Sequence, residues 1–170
     1  MEILNSFHGE LKIVKEMVYD PCNFELKNLK WNVESLEYGA WSFELGDKKI
    51  QFRVSKITPT KNGQFVAIWK RNQEGTTEPF DISDEIDFIV ITARSGNKLG
   101  QFIFPATVLA DKGIISQNGK AGKRGIRVYP FWDKPGSKQA EKTQNWQLKH
   151  FLTIETDGST NLDFAKKILK

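Results

Sequence analysis

The run FIVIT at residues 88 to 92 places five apolar or β-branched residues in succession, without the alternation of a half-exposed strand. Such a run is expected for a strand buried on both faces, so the chain needs cover above and below the sheet that holds it. Two segments can supply that cover. Phe7, Leu11, Val14 and Val18 recur at helical spacing after Ser6, a plausible N-cap, which predicts a helix over 7–19 stopped by Asp20-Pro21. Ala140, Trp146, Leu148 and Phe151 among polar residues predict a second long helix over 137–152. A short helix is expected at 106–112, ended by Lys112-Gly113. Strands are expected at 41–45, 49–57, 64–71, 99–104 and 126–129, and residues 24–40 read ambiguously. At 170 residues the chain suits one domain, 1–170. The order implies an α+β or mixed α/β fold with a central mixed, mostly antiparallel sheet flanked by helices.

The stretch QFRVSKITPTKNGQFVAIWKR at 51–71 carries the most chemistry. Its two halves alternate with period two, and the connector at 58–63 ends in Asn-Gly, which predicts a hairpin. Residues 48–73 hold seven Lys or Arg and no acid, and 112–149 hold nine against two, so each block is +7. The flanking segments come to −5, −5 and 0, which leaves a net charge of only +4. Two basic blocks folded onto one face would make a polyanion site stronger than the net charge suggests. The same lysines could also be a solvated strand face that protects an edge.

The second block contains GKAGKRG at 119–125, followed by Arg127, Tyr129 and Trp132. Glycine lets backbone N–H groups approach an anion, cations supply charge, and aromatic rings can stack on bases. This is not a phosphate-binding GxxxxGK[ST] loop. The candidate nucleic-acid-binding residues are therefore Arg53, Lys56, Lys61, Lys70, Arg71, Lys120, Lys123, Arg124, Arg127 and Trp132. A single cysteine, Cys22, and two histidines exclude a disulfide framework and a Cys/His zinc cluster. With no membrane-length apolar run and no signal-peptide pattern, the expected location is cytoplasmic, with no membrane partner. His8 reads as a solvent-exposed or capping residue. Glu34 and Glu37 stand one helical turn apart if their segment is helical, where they could face a metal or cationic ligand; otherwise they are ordinary surface acids.

The runs ESLEYGA (34–40), FRVSKITPTKNGQFVAIWKR (52–71), GQFIFP (100–105), GKRGIRVYPFW (122–132) and SKQAEKTQNWQ (137–147) resemble the MepB family of small bacterial proteins. The resemblance implies a cytoplasmic protein with a restriction-endonuclease-like fold. In that pattern an Asp and an acid-x-Lys triplet on neighbouring strands bind Mg²⁺ and activate water. Asp87 can stand for the first acid, but Gln101-Phe102-Ile103 lies where the triplet belongs. A catalytic set of Asp87, Gln101 and Lys70, with Asp87, Glu34 and Glu37 as metal ligands, would have to compensate; Lys56 and Lys61 are other candidate lysines.

These observations lead to a nucleic-acid-binding protein, on DNA or RNA, that grips phosphates through a basic groove largely without regard to sequence. Binding itself requires no cofactor. One alternative is a Mg²⁺-dependent nuclease with a degenerate site, and another is a domain for a small anion or an acidic protein. The first reading expects both basic blocks on one face, and it expects Asp87 to matter little for binding.

Overall fold

The computed structural model describes residues 9–31 and 40–170. Ser6, Phe7, His8, Glu34 and Glu37, and with them two of the three proposed metal ligands, lie outside the described residues. The first helix, α1, runs over 9–14 and continues as a π-helical turn at Lys15–Tyr19, closed by Asp20 N–H donating to Lys15 O at 2.8 Å. Leu11, Val14 and Val18 are buried, as their spacing requires.

The strands are β1 (Leu26–Trp31), β2 (Trp41–Leu45), β3 (Lys48–Val54), β4 (Lys56–Ile57), β5 (Gln64–Ala67), β6 (Trp69–Arg71), β7 (Thr77–Pro79), β8 (Phe88–Ser95), β9 (Lys98–Pro105), β10 (Gly125–Val128) and β11 (Phe151–Thr153). Helices α2 (Ala106–Asp111), α3 (Lys138–Leu148) and α4 (Leu162–Leu169) complete the order. The main sheet is β1-β2-β3-β8-β9-β11, antiparallel throughout except where β3 and β8 run parallel. The fold is therefore α+β with a mixed, mostly antiparallel sheet.

As its unbroken apolar run demands, β8 is central and buried on both faces. Phe88 and Val90 join Ile50, Phe52, Ile103, Val14, Val18 and Ala165 in one core. Ile89, Ile91 and Ala93 join Phe102, Phe104, Leu109, Val66, Ile126 and Val128 in the other. The first core is roofed by α1 and α4. The second is roofed by α2 and a small three-stranded sheet, β10-β5-β4, with Trp146 of α3 packed against it.

The hairpin expected between 49–57 and 64–71 is much shorter than its alternation suggested. Residues 48–54 pair with β2 and β8 instead, and only Lys56↔Phe65 and Ile57↔Gln64 form the hairpin. The break occurs at Ser55, whose N–H donates to Thr92 O at 3.0 Å while its hydroxyl donates to Gln64 Oε1 at 2.7 Å. One strand thus starts in the main sheet and ends in the small one. Gly63, at φ +77°, supplies the turn that Asn-Gly predicted. The helix expected over 137–152 stops at Leu148, because His150 N–H closes a turn on Gln147 O and Phe151 joins β9 as a strand. In the ambiguous segment, β1 forms with a bulge between Lys27 and Lys30 and Asn28 at φ +57°.

Gln101 is fully buried at the middle of β9, opposite Thr92. It accepts from Tyr19 Oη at 3.4 Å and donates to Thr92 Oγ1 at 3.2 Å, joining α1 to β8 and β9. Burial pushes the Tyr19 phenol up from its ordinary pKa, a shift slightly opposed by its hydrogen bond to Gln101, so it stays a neutral donor. Gln101→Ala opens a cavity and strands both partners. We expect it to cost about 2–4 kcal/mol, read as a lower midpoint in urea with an unchanged slope.

Candidate polyanion groove

The small sheet brings the two basic blocks together. Strand β10 from the second block pairs antiparallel with β5 from the first, in the register Gly125↔Ala67, Ile126↔Val66, Arg127↔Phe65 and Val128↔Gln64. Arg127 lies over the Phe65 ring at 6.0 Å and donates from Nη1 to Asn62 O at 3.4 Å. The glycine at 125 is required by this approach, since a Cβ there would come within 2.6 Å of the Phe65 ring. Gly122 likewise abuts the Ile114 carbonyl, whereas Gly119, at φ +79° with open space around it, serves a turn.

Helix α3 forms the opposite wall. Ser137 caps it, its Oγ accepting from Ala140 N–H at 3.1 Å. Near its end Gln147, 1% exposed, donates from Nε2 to Arg127 O at 3.0 Å and accepts at Oε1 from Tyr129 N–H at 2.9 Å. These two bonds replace what a neighbouring strand would provide along the open edge of β10. Gln144 donates to Pro130 O at 3.0 Å and Asp133 O at 2.9 Å, holding the chain beyond the strand.

Between the small sheet and α3 lies a cleft of about 620 Å³. Its cationic lining is Lys61, Lys112, Lys123 and Arg127, its aromatic lining is Phe65, Tyr129 and Trp146, and no carboxylate lines it among the described residues. Lys61 comes from the first basic block and the other three from the second. Lys112 and Trp146 are read from sequence as helix residues and are not among the binding candidates, although Lys112 lies within the second block. Lys112 Nζ sits 5.4 Å from the Trp146 ring, a contact between α2 and α3 that local patterning does not announce.

The other candidate residues are dispersed. Lys120 closes a tight turn with Gln117, and Arg124 donates to Thr77 O at 3.0 Å. Trp132 is half-buried against Phe131 and Phe151 at 5.2 and 5.9 Å, a packing position and not a free stacking platform. Lys56 belongs to the short hairpin. Arg53, Lys70 and Arg71 line a different cavity with Trp31, Trp41 and Trp69. Lys70 is paired with Asp84 at 2.5 Å and Glu78 at 3.5 Å. Burial pulls its pKa down, but these two carboxylates outweigh that and hold it above the ordinary lysine value.

The catalytic set does not assemble. The Asp87 carboxylate accepts from Lys49 N–H at 2.8 Å at the start of β8, where its own N–H and C=O are bonded to Lys49 and Ala106. Gln101 stands opposite Thr92, five residues along the strand and thus roughly 16 Å away, sealed in the core. Lys70 is engaged by Asp84 and Glu78, neither of them in that set. Asp87 acts as a strand-start clamp and Gln101 as a core hydrogen-bonding group. Among the described residues no three His, Cys, Asp or Glu side chains cluster so as to hold a metal ion.

An α+β domain whose accessory sheet and last long helix enclose a cation-lined cleft, free of carboxylates among the described residues, defines the structural class. Within it the chain belongs to the MepB-like family, whose profile matches residues 30–153 and so includes every strand of the cleft and all of α3. A solved structure described as the crystal structure of MepB is similar, with 34% identity and a TM-score of 0.72 over 75% of this chain and 86% of that one. No curated protein matches. Among the described residues no helix is long and apolar enough to cross a membrane.

Gln147 makes the cleft's assembly testable. Gln147→Ala removes both bonds to β10 and leaves a buried N–H and C=O without partners, for an expected loss of about 2–4 kcal/mol in urea unfolding. Amide exchange at Tyr129 should accelerate more than exchange in β8, because the β10 edge opens first.

Proposed function

We propose that this protein binds nucleic acid through phosphate contacts in the cleft between the small sheet and α3. The observation that carries the reading is the hydrogen-bonded pairing of β5 with β10, which places Lys61 beside Lys123 and Arg127 on one surface without a carboxylate among the described residues. Cations provide affinity that does not depend on sequence, and Tyr129 at the cleft wall offers a ring to an unpaired base. None of the cleft's cations stands on a helix placed to enter a major groove, so base-specific readout is not expected. A location in the cytoplasm and a bacterial, restriction-endonuclease-like ancestry form part of the same reading. Cleavage does not follow from it, because Asp87 and Gln101 serve the scaffold at separated positions.

Salt dependence tests the reading. Four lining cations predict a log Kd versus log salt slope of about 3 for a single strand, at about 0.7 per phosphate. Lys123→Ala with Arg127→Ala should weaken binding of unrelated oligonucleotides alike and lower the slope by about 1.4. Asp87→Ala should leave both quantities near the wild-type values. A slope near zero, or about a thousandfold preference for one sequence, would remove the proposal.

A further inference from the structure

A separate feature is the environment of Arg53. On β3 its neighbour Phe52 faces the first core, so Arg53 must face the other side of the sheet, and there it is only 2% exposed. Nη1 donates to Phe52 O at 2.8 Å and to Gln51 Oε1 at 3.4 Å, and the guanidinium lies 5.8 Å from the Phe80 ring. Nε and Nη2 have no acceptor, and no carboxylate is ion-paired with Arg53, among the described residues. Burial holds its pKa down to about 10, so it remains a cation at neutral pH. A buried guanidinium without a counter-anion is costly, and an apolar side chain of similar length would fill the same space at less cost.

The cavity that Arg53 lines holds about 440 Å³, within the range of about 300–1,000 Å³ for small-molecule sites. Lys30, Lys70 and Arg71 also line it, no Asp or Glu does among the described residues, and Trp31, Trp41 and Trp69 supply the aromatic wall. Trp31 and Trp41 are stacked at 28°, and Arg71 lies 5.4 Å from the Trp69 ring. The Trp31 indole Nε1 is buried without an acceptor among the described residues, a second donor lacking a partner at the same cavity. Among the described residues the cavity shares no lining residue with the β5–β10–α3 cleft.

We propose that the Arg53 cavity is a distinct binding site for a phosphate monoester attached to a planar base, the chemistry of a nucleoside monophosphate. The guanidinium offers Nε and Nη2 as a planar fork that fits two phosphate oxygens. Lys30 adds positive charge at the same wall, and an indole face takes the base. The same chemistry is presented by a free mononucleotide and by the phosphorylated end of a strand.

The test uses the full chain at constant ionic strength, with AMP, adenosine and inorganic phosphate as probes, followed by tryptophan fluorescence and thermal unfolding. AMP should change the fluorescence saturably and raise Tm by several degrees, with inorganic phosphate weaker and adenosine inert. Oligonucleotides with and without a 5′-phosphate separate the sources: at least tenfold tighter binding of the phosphorylated strand assigns the site to strand ends, and equal binding beside a clear AMP response assigns it to free nucleotide. Arg53→Met should unfold at or above the wild-type Tm without ligand and lose the AMP response. Arg53→Lys, which keeps the charge but not the fork, should weaken AMP at least tenfold. Lys123→Ala with Arg127→Ala should leave the AMP response unchanged, which separates this site from the groove. An absent AMP response through the millimolar range, equal responses to AMP and adenosine, or wild-type AMP binding by Arg53→Lys would overturn the proposal.

Discussion

The antiparallel pairing of β5 with β10 is the interaction on which the site depends. It joins segments whose partners lie from 125 − 67 = 58 to 128 − 64 = 64 residues apart, and without it the two +7 blocks would be unrelated surface charge. The pairing is held from both sides. On the sheet side, Gln64 accepts from Ser55 and donates to Arg94 O at 3.2 Å, tying β5 to the turn where β3 ends and to β8. On the helix side, Gln147 bonds to the residues that bracket Val128. Buried amide side chains thus do at two places what backbone does within a sheet. Their geometry is demanding, because each missing partner would leave a dehydrated polar group.

Electrostatics and packing are coupled in the same elements. A net charge of +4 over 170 residues would not by itself suggest a polyanion site. The acids are disposed so that the cleft is spared: Glu78 and Asp84 neutralise Lys70, Glu85 pairs with Lys49 at 3.1 Å, and Glu10 pairs with Arg94 at 3.1 Å, all on residues outside the cleft lining. The exposed pair Lys49–Glu85 contributes little stability. The consequence of these pairs is distributional, since they leave the cations of the cleft as its dominant charge.

Much of the scaffold was legible in the sequence because local patterns governed it. The FIVIT run gave the central strand, the Leu11–Val14–Val18 spacing gave α1, and Asn62-Gly63 gave a turn. Fidelity failed where distant chain took over. Nothing in QFRVSKI shows that its strand leaves one sheet for another at Ser55, because that break is set by Thr92 and Gln64. Arg53 stands among the binding candidates in the sequence, whereas cover from the opposite side of the sheet buries it. The basic residues that meet were visible as charge blocks, but Lys112 and Trp146 meet only through the packing of α2 and α3. Asp87 and Gln101 were grouped by analogy with neighbouring strands, and register alone separates them.

The separation of β5 from β10 along the chain also bears on synthesis. In the folded small sheet β5 lies between β4 and β10, so its second edge is open until β10 has been made. At about 5–20 residues per second, the intervening stretch of about sixty residues takes roughly 3–12 s to emerge. An open strand edge is a template for another nascent chain. Lys61 stands just before that strand and Arg71 just beyond it. Their like charges would repel a second copy's first block during the interval, so a cation such as Lys61 can guard the nascent strand before it serves the finished cleft.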